Sequence, residues 1–226
     1  MAEQLGKIEK PLAEKFAKGR RLFFVPLILS AVEAESELQQ KVGRYWDEVE
    51  SQLGNLESRL GAVDRIFHEW VAVEGPEGAG VMEEVNPSSY RVMRPRIEAG
   101  TVVAALEDQE LLAEYLDWNR CLSVGLQSQK VFKIVYEGFS EVNVKRNEAL
   151  AKRIDETLGE GEKAILLMRE GHHIQFPPDI EVFYVSPPSL DDIKRWVRDR
   201  ETRYEREQEA EEEDRSNEGR QHGSGD

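Results

Sequence analysis

Two apolar runs, residues 164–168 and 180–185, bracket a polar loop that contains His172, His173 and Asp179. Short continuous apolar runs of this kind predict strands covered on both faces, and the loop leaving such a strand is where open α/β sheets carry their sites. A third run, residues 22–29, precedes a helix and contains Pro26, which predicts an edge strand or a bend because proline cannot donate to a ladder. Residues 63–73 interleave β-branched and aromatic side chains with Asp64, Arg65, His68 and Glu69, the pattern of a further strand.

Helical periodicity is clearest in two long stretches. Ser30 and Glu33 have capping-box spacing, and Leu38, Val42, Tyr45, Val49, Leu53, Leu56 and Leu60 then step by three or four up to Gly61. In residues 128–158, Val131, Val135, Phe139, Val142, Ala149, Ile154 and Leu158 fall near one face, with Lys145, Arg146, Glu148, Lys152 and Glu156 on the other. The glycines at 75, 78 and 80 predict a loop. Asn86 and Pro87 predict the cap and first turn of a short helix that Pro95 kinks or stops and Gly100 closes. Residues 107–122 predict another helix, with Leu111, Leu112, Tyr115, Leu116 and Cys121 inward. Ser189 and Asp192 have the spacing to cap a last helix through Ile193, Trp196 and Val197.

Strands separated by long helices favour an α/β sandwich: a small mixed or parallel sheet of about four strands packed by amphipathic helices. The expected organisation is one domain over residues 1–200, with room for a helical insertion near 81–125, then a charged tail over 201–226 that is helical at first and disordered at its end.

Composition narrows the function classes. The net charge is -15, and residues 201–226 hold ten acidic and four basic side chains. An acidic body repels polyphosphate, which disfavours direct nucleic-acid binding. The longest apolar run is eight residues, too short to span a membrane, and residues 1–18 scatter charges where a leader needs an apolar core, so a cytoplasmic location is expected. Cys121 is the only cysteine, which excludes an intrachain disulfide and a thiolate zinc cage.

Candidate chemistry is sparse. Glu170, His172, His173 and Asp179 carry the residue types of an acid and base pair, yet adjacent histidines point apart and no second ligand cluster accompanies them, so no metal or cofactor is implied. Asp117, Trp118, Asn119 and Arg120 place both charge signs and an aromatic ring at a helix end, where Arg120 could clamp an anion or a partner's carboxylate; a helix end docked by Trp118 is the plainer alternative. The glycines at 75, 78 and 80 match no phosphate-binding spacing and are surrounded by Glu74, Glu77, Glu83 and Glu84. The chain has no Gly-x-Ser-x-Gly, His-Glu-x-x-His or kinase signature.

In residues 143–186, the run Ala151-Lys152-Arg153-Ile154-Asp155-Glu156-Thr157-Leu158 leads through Gly161-Glu162, a strand and Gly171-His172 to Pro178-Asp179-Ile180 and a second strand. This segment resembles the carboxy-terminal domain of bacterial relatives of archaeo-eukaryotic peptide-chain release factors, an α/β/α sandwich of the kink-turn RNA-binding ribosomal-protein type. The resemblance implies a non-catalytic domain acting through protein or ribosome contacts. The Gly-Gly-Gln loop of release factors lies in a different domain, and the chain contains none. The expectation is therefore a cytoplasmic interaction module, translation-linked, that contacts a protein partner through the loop from Arg169 to Asp179, with His172 and His173 as binding residues, and through the acidic tail. The alternative is a small hydrolase using His172 or His173 with a nearby carboxylate, and the two long helical stripes leave homodimerisation open.

Overall fold

The computed structural model describes residues 19–29, 35–203 and 206. They fall into two compact units: residues 19–29 with 49–185, and residues 35–48 with those from 186 onward.

The first unit is built on a five-stranded sheet in the order β3-β2-β4-β1-β5. The strands are β1 (Arg20–Pro26), β2 (Arg65–His68), β3 (Val102–Ala104), β4 (Lys163–Met168) and β5 (Ile180–Tyr184), and every pairing is parallel. The helices are α1 (Ser36–Leu60), of which only residues 49–60 belong to this unit, α2 (Gly75–Val85), α3 (Pro87–Glu98), α4 (Gln109–Ser123) and α5 (Gln129–Thr157). The sheet has one strand more than expected. The extra strand is β3, whose three residues are too few to show a period.

Alternation along β1 sorts the core into two layers. Leu22 and Phe24 join Ala164, Leu166 and Met168 on the face covered by Leu150 and Ile154 of α5 and by Leu158 just after it. Phe23 turns to the opposite face and meets Phe183 edge-on at 5.8 Å. On that side a side chain at Gly78 of α2 would strike the Val73 carbonyl in the segment leading into the helix, with Val103 of β3 and Val71 at 3.1 and 3.2 Å. The glycine run lies in a helix, not the predicted loop, and close packing requires a residue without Cβ only at Gly78, since a Cβ at Gly75 or Gly80 meets nothing within 4 Å. Gly78→Ala should lower stability by about 1–3 kcal/mol, since a carbonyl cannot swing aside as a side chain can. A urea titration showing a loss below about 0.5 kcal/mol would refute that account.

Other departures have equally local causes. Flanked by β4 and β5, β1 is an interior strand, and it accommodates Pro26 by ending there. β2 stops after four residues rather than running to Val73. α3 continues through Pro95 to Glu98, anchored at its start by Asn86, whose side chain accepts from the Ser89 N–H at 3.0 Å. β5 is an edge strand with Val182 and Tyr184 exposed, so only β4 of the two apolar runs is covered on both faces. In α4 only Tyr115 is buried, and Cys121 is exposed. In α5, Val131 is exposed while Arg146 is buried, the reverse of the expected faces. The cap expected at Ser30 and Glu33 and nearly all of the tail lie outside the described residues.

The link from β4 to β5 has no helix. Residues 169–179 cross β1 as an irregular strap, and Ile174 and Phe176 fill the apolar cover that a crossover helix normally supplies. His172 serves the same end, its ring 5.0 Å from Phe24 and 5.9 Å from Phe176.

In the second unit, a helix over residues 188–203 buries Leu190 and Ile193. Ser189 donates its hydroxyl and backbone N–H to Glu48 at 2.6 and 3.2 Å instead of capping through Asp192, while Arg44 bridges Glu48 and Asp192.

Candidate functional site: an ion-paired cluster at the carboxyl edge of the sheet

Three adjacent strands end in charge. Glu69 follows β2, Glu107 follows β3 by two residues beyond Ala105, and Arg169 follows β4 directly. Arg146 reaches them from α5, where it occupies the same i, i+4 row as Val142, Leu150 and Ile154. Placed on that row, the guanidinium is carried inward with the apolar residues.

The four side chains are bound to one another. Arg146 donates Nε to Glu107 at 2.9 Å and Nη2 to both Glu107 and Glu69. Arg169 donates its backbone N–H to Glu69 at 2.9 Å and its Nη2 at 3.0 Å. Side-chain exposure is 4% for Arg146, 2% for Glu69 and 0% for Glu107, against 38% for Arg169. Arg169 is therefore the member that solvent and ligands can reach. Burial alone would push the Glu69 carboxyl up, but hydrogen bonds and charge from Arg169, with the charge of Arg146, hold it below the ordinary carboxylate range. The arginines stay charged for the same reason, since their carboxylates outweigh burial.

A tight turn sets this geometry. The Val71 N–H bonds the His68 carbonyl at 3.1 Å, and Trp70 takes the third position at φ 73°, where glycine is usual. Such a conformation costs of order 1–3 kcal/mol in a bulky residue and persists only where surroundings over-determine it. Here the Trp70 N–H donates to Glu107 at 3.2 Å, and the Arg169 guanidinium lies 4.8 Å above the indole ring. The indole Nε1–H is buried and meets no acceptor among the described residues. Tyr115 completes the wall, its ring 4.5 Å from the Arg146 guanidinium and its hydroxyl accepting from Arg169 at 3.4 Å.

His68 lies beneath the turn. Its Nδ1–H donates to the Glu69 carbonyl at 2.5 Å, and its Nε2 faces the Ser89 hydroxyl at 3.2 Å. Burial drives its pKa down to about 4, only partly opposed by Glu69, so the ring is neutral at pH 7.

The residues singled out from the sequence are distributed differently. Asp179 precedes β5 and is gripped by Arg20 at the amino end of the sheet, at 2.7 Å. Glu170 is at the carboxyl end and accepts the Tyr184 hydroxyl at 2.6 Å. His172 accepts the Ile174 N–H on Nδ1 at 3.3 Å, which leaves the ring proton on Nε2. Burial lowers its pKa, while the charge of Glu69 opposes this. His173 is exposed and ties its backbone N–H to the Asn147 side chain at 3.3 Å, beside a cleft of about 290 Å³ lined by Asn143, Val144 and Gln175 among others. Arg120 pairs with Asp117 on the exposed end of α4, and Trp118 packs on Gly138 of α5 while donating Nε1 to Glu114 at 3.2 Å.

Glu69, Trp70, Glu107, Arg146 and Arg169 were not legible as a set from sequence. A usable signal existed for four of them: charges just beyond apolar strands, and one arginine on an apolar helical row.

These features define an all-parallel α/β domain with a buried ion-paired cluster at the carboxyl edge of its sheet, the usual position for a ligand site in such folds. No protein-family model matches the chain, and comparison with curated proteins and with solved structures gives no significant match. Among the described residues no helix is long and apolar enough to cross a membrane, and no cluster of metal-ligating side chains occurs.

Proposed function

We propose that the protein is a non-catalytic binding module that receives an oxyanion, a carboxylate or phosphate group, at the carboxyl edge of its sheet. The carrying observation is the half-exposed Arg169 guanidinium, braced by Glu69 and Trp70, whose Nη1 has no hydrogen-bond partner among the described residues. The Nε2–H of His172, whose ring lies within the field of Glu69, adds a further donor. A surplus of donors suits an acceptor-rich ligand, and a planar guanidinium fork suits a bidentate oxyanion. The hydrolase alternative has less support, because both buried carboxylates are engaged by arginines and His172 spends its basic nitrogen on the backbone. The overall acidity opposes anions at long range, but physiological salt screens that field beyond about 8 Å.

Titration of the full chain with inorganic phosphate and separately with citrate, read by thermal shift and calorimetry, tests this. Saturable binding by at least one of them, weakened at least tenfold in Arg169→Gln, is expected, since hydrogen bonds to a charged partner contribute roughly 1.5–3 kcal/mol. Saturable binding by neither, or binding that Arg169→Gln leaves intact, would overturn the reading. A translation-linked role is supported only by the resemblance in residues 143–186, and cosedimentation with purified ribosomes tests it separately.

A further inference from the structure

β5 ends the sheet, and among the described residues no strand lies beyond it. Its register on β1 fixes which backbone groups remain unpaired. The Val185 N–H donates to the Phe24 carbonyl at 2.8 Å, and along a parallel strand the residues that face one neighbour alternate, so Glu181 and Phe183 turn to β1 as well. Val182 and Tyr184 therefore direct their N–H and C=O groups outward, and both residues are exposed, by 40 and 54%. Sheet edges are usually guarded by lysine, proline or a bulge within the strand. β5 has none of these: residues 180–184 pair with β1 in unbroken register, and Pro177, Pro178, Pro187 and Pro188 all lie outside it. Its single charge, Glu181, is tied back to Arg21 at 3.4 Å.

A groove of about 360 Å³ runs beside this edge, bounded by Gln52, Asn55, Leu56 and Arg59 of α1 and by Phe183 and Tyr184. Arg59 is exposed and has no hydrogen-bond or ion-pair partner among the described residues. We propose that the β5 edge is a docking site for an extended peptide segment of a partner protein, which adds as a sixth strand and sets an acidic side chain against Arg59.

Backbone chemistry specifies the first part of that ligand. Outward N–H and C=O groups that repeat every second residue are matched by another extended backbone, running in either direction. Charge specifies the second part. Alternate side chains of the added strand fall on the Phe183 side of the sheet, towards the groove, where the one charged group among the described lining residues is a guanidinium that a carboxylate answers. A second copy of this chain answers it less well, because the carboxylates in and beside its own β5 are already engaged, Glu181 by Arg21 and Asp179 by Arg20. The edge lies two strands away from β4, which Arg169 follows, so neither binding site requires the other.

The peptide fluorescein-Val-Thr-Val-Glu-Val-Thr-Val-amide, titrated with the full chain and followed by anisotropy, should bind saturably below about 1 mM. N-methylation of one alternating set of its amides, and not of the other, should weaken binding at least about tenfold, because only one set faces β5. Arg59→Glu should weaken it about fivefold or more, and the peptide with lysine in place of glutamate should bind Arg59→Glu more tightly than it binds the wild type. Val182→Pro removes an outward donor while leaving the β1 ladder, and should weaken binding about tenfold. Position 59 is exposed, so unchanged circular dichroism of Arg59→Glu separates lost binding from lost folding. No saturable binding at that concentration, binding that neither methylated set disturbs, or an unchanged order of affinities in Arg59→Glu would overturn the proposal. So would a dimer of the free chain, seen by sedimentation equilibrium and abolished by Val182→Pro, since a second copy would then occupy the edge.

Discussion

Replacing Arg146 with methionine should destabilise the sheet unit by about 3–5 kcal/mol, although the substitution keeps much of the side-chain volume. The loss would come from what remains. Glu107, with 0% side-chain exposure, would keep a buried carboxylate without its guanidinium, and Glu69 would retain only Arg169. A buried charge left alone costs far more than the intact pair contributes. Adding Glu107→Gln to Arg146→Met should therefore recover part of the loss, because an amide is cheaper to bury than an unpaired carboxylate and can still accept the Trp70 N–H. Urea unfolding followed by circular dichroism would measure both. A loss under about 1 kcal/mol for the single variant, or no recovery in the double, would mean that the cluster is looser than its geometry indicates.

The second large effect is a dependence of stability on acidity centred on His68. Its folded-state pKa of about 4 lies below the unfolded value of 6.5. Between those limits the unfolded chain binds the proton and the folded chain resists it, so stability rises with pH across the window. The contribution is complete above about pH 6.5, is lost as the pH falls towards 4, and amounts to about 3 kcal/mol. Glu69 acts in the same direction at lower pH: its depressed folded pKa gives stability that is present above the ordinary carboxylate value and lost as the pH falls through the folded one. The difference between wild type and His68→Gln isolates the histidine, since glutamine can still donate to the Glu69 carbonyl. Unfolding free energies measured between pH 4 and 7 should rise more steeply for the wild type. Parallel profiles would show that His68 is protonated in the native state or open to water.

The structural role of the cluster and the binding role proposed for it are linked through Arg169. Arg146 and Glu107 hold α5 and the β3 end together in the dry interior, while Glu69 extends the network to a guanidinium at the surface. A ligand engaging Arg169 would thus meet a donor already oriented, with little ordering left to complete on binding. The positive φ of Trp70 fits this account, because the turn it completes aims both Glu69 and the indole at Arg169.

The strap between β4 and β5 shows how a polar loop between two apolar runs can serve packing as well as chemistry. His172 and His173 stood out because polar residues between two apolar runs look like a site. In three dimensions the strap substitutes for a crossover helix, with Ile174 and Phe176 packed on the core and His172 against Phe24. Its polar groups mainly satisfy backbone and neighbouring side chains.

Much of the framework followed from periodicity alone: the α/β class, the ends of α1 at Gly61 and of α5 near Leu158, the Asn86 cap, and the cores of β1, β4 and β5. These are determined by local sterics and by burial of a face that recurs at a fixed spacing, both written in neighbouring residues. Strand order, the helical fate of the Gly75–Gly80 run, the inward turn of Arg146 and the meeting of Glu69, Glu107 and Arg169 were decided only by tertiary structure. The reason is that a charge can be buried only where an opposite charge arrives from elsewhere in the chain, here across 77 residues between Glu69 and Arg146 and 100 between Glu69 and Arg169, a condition no local pattern records.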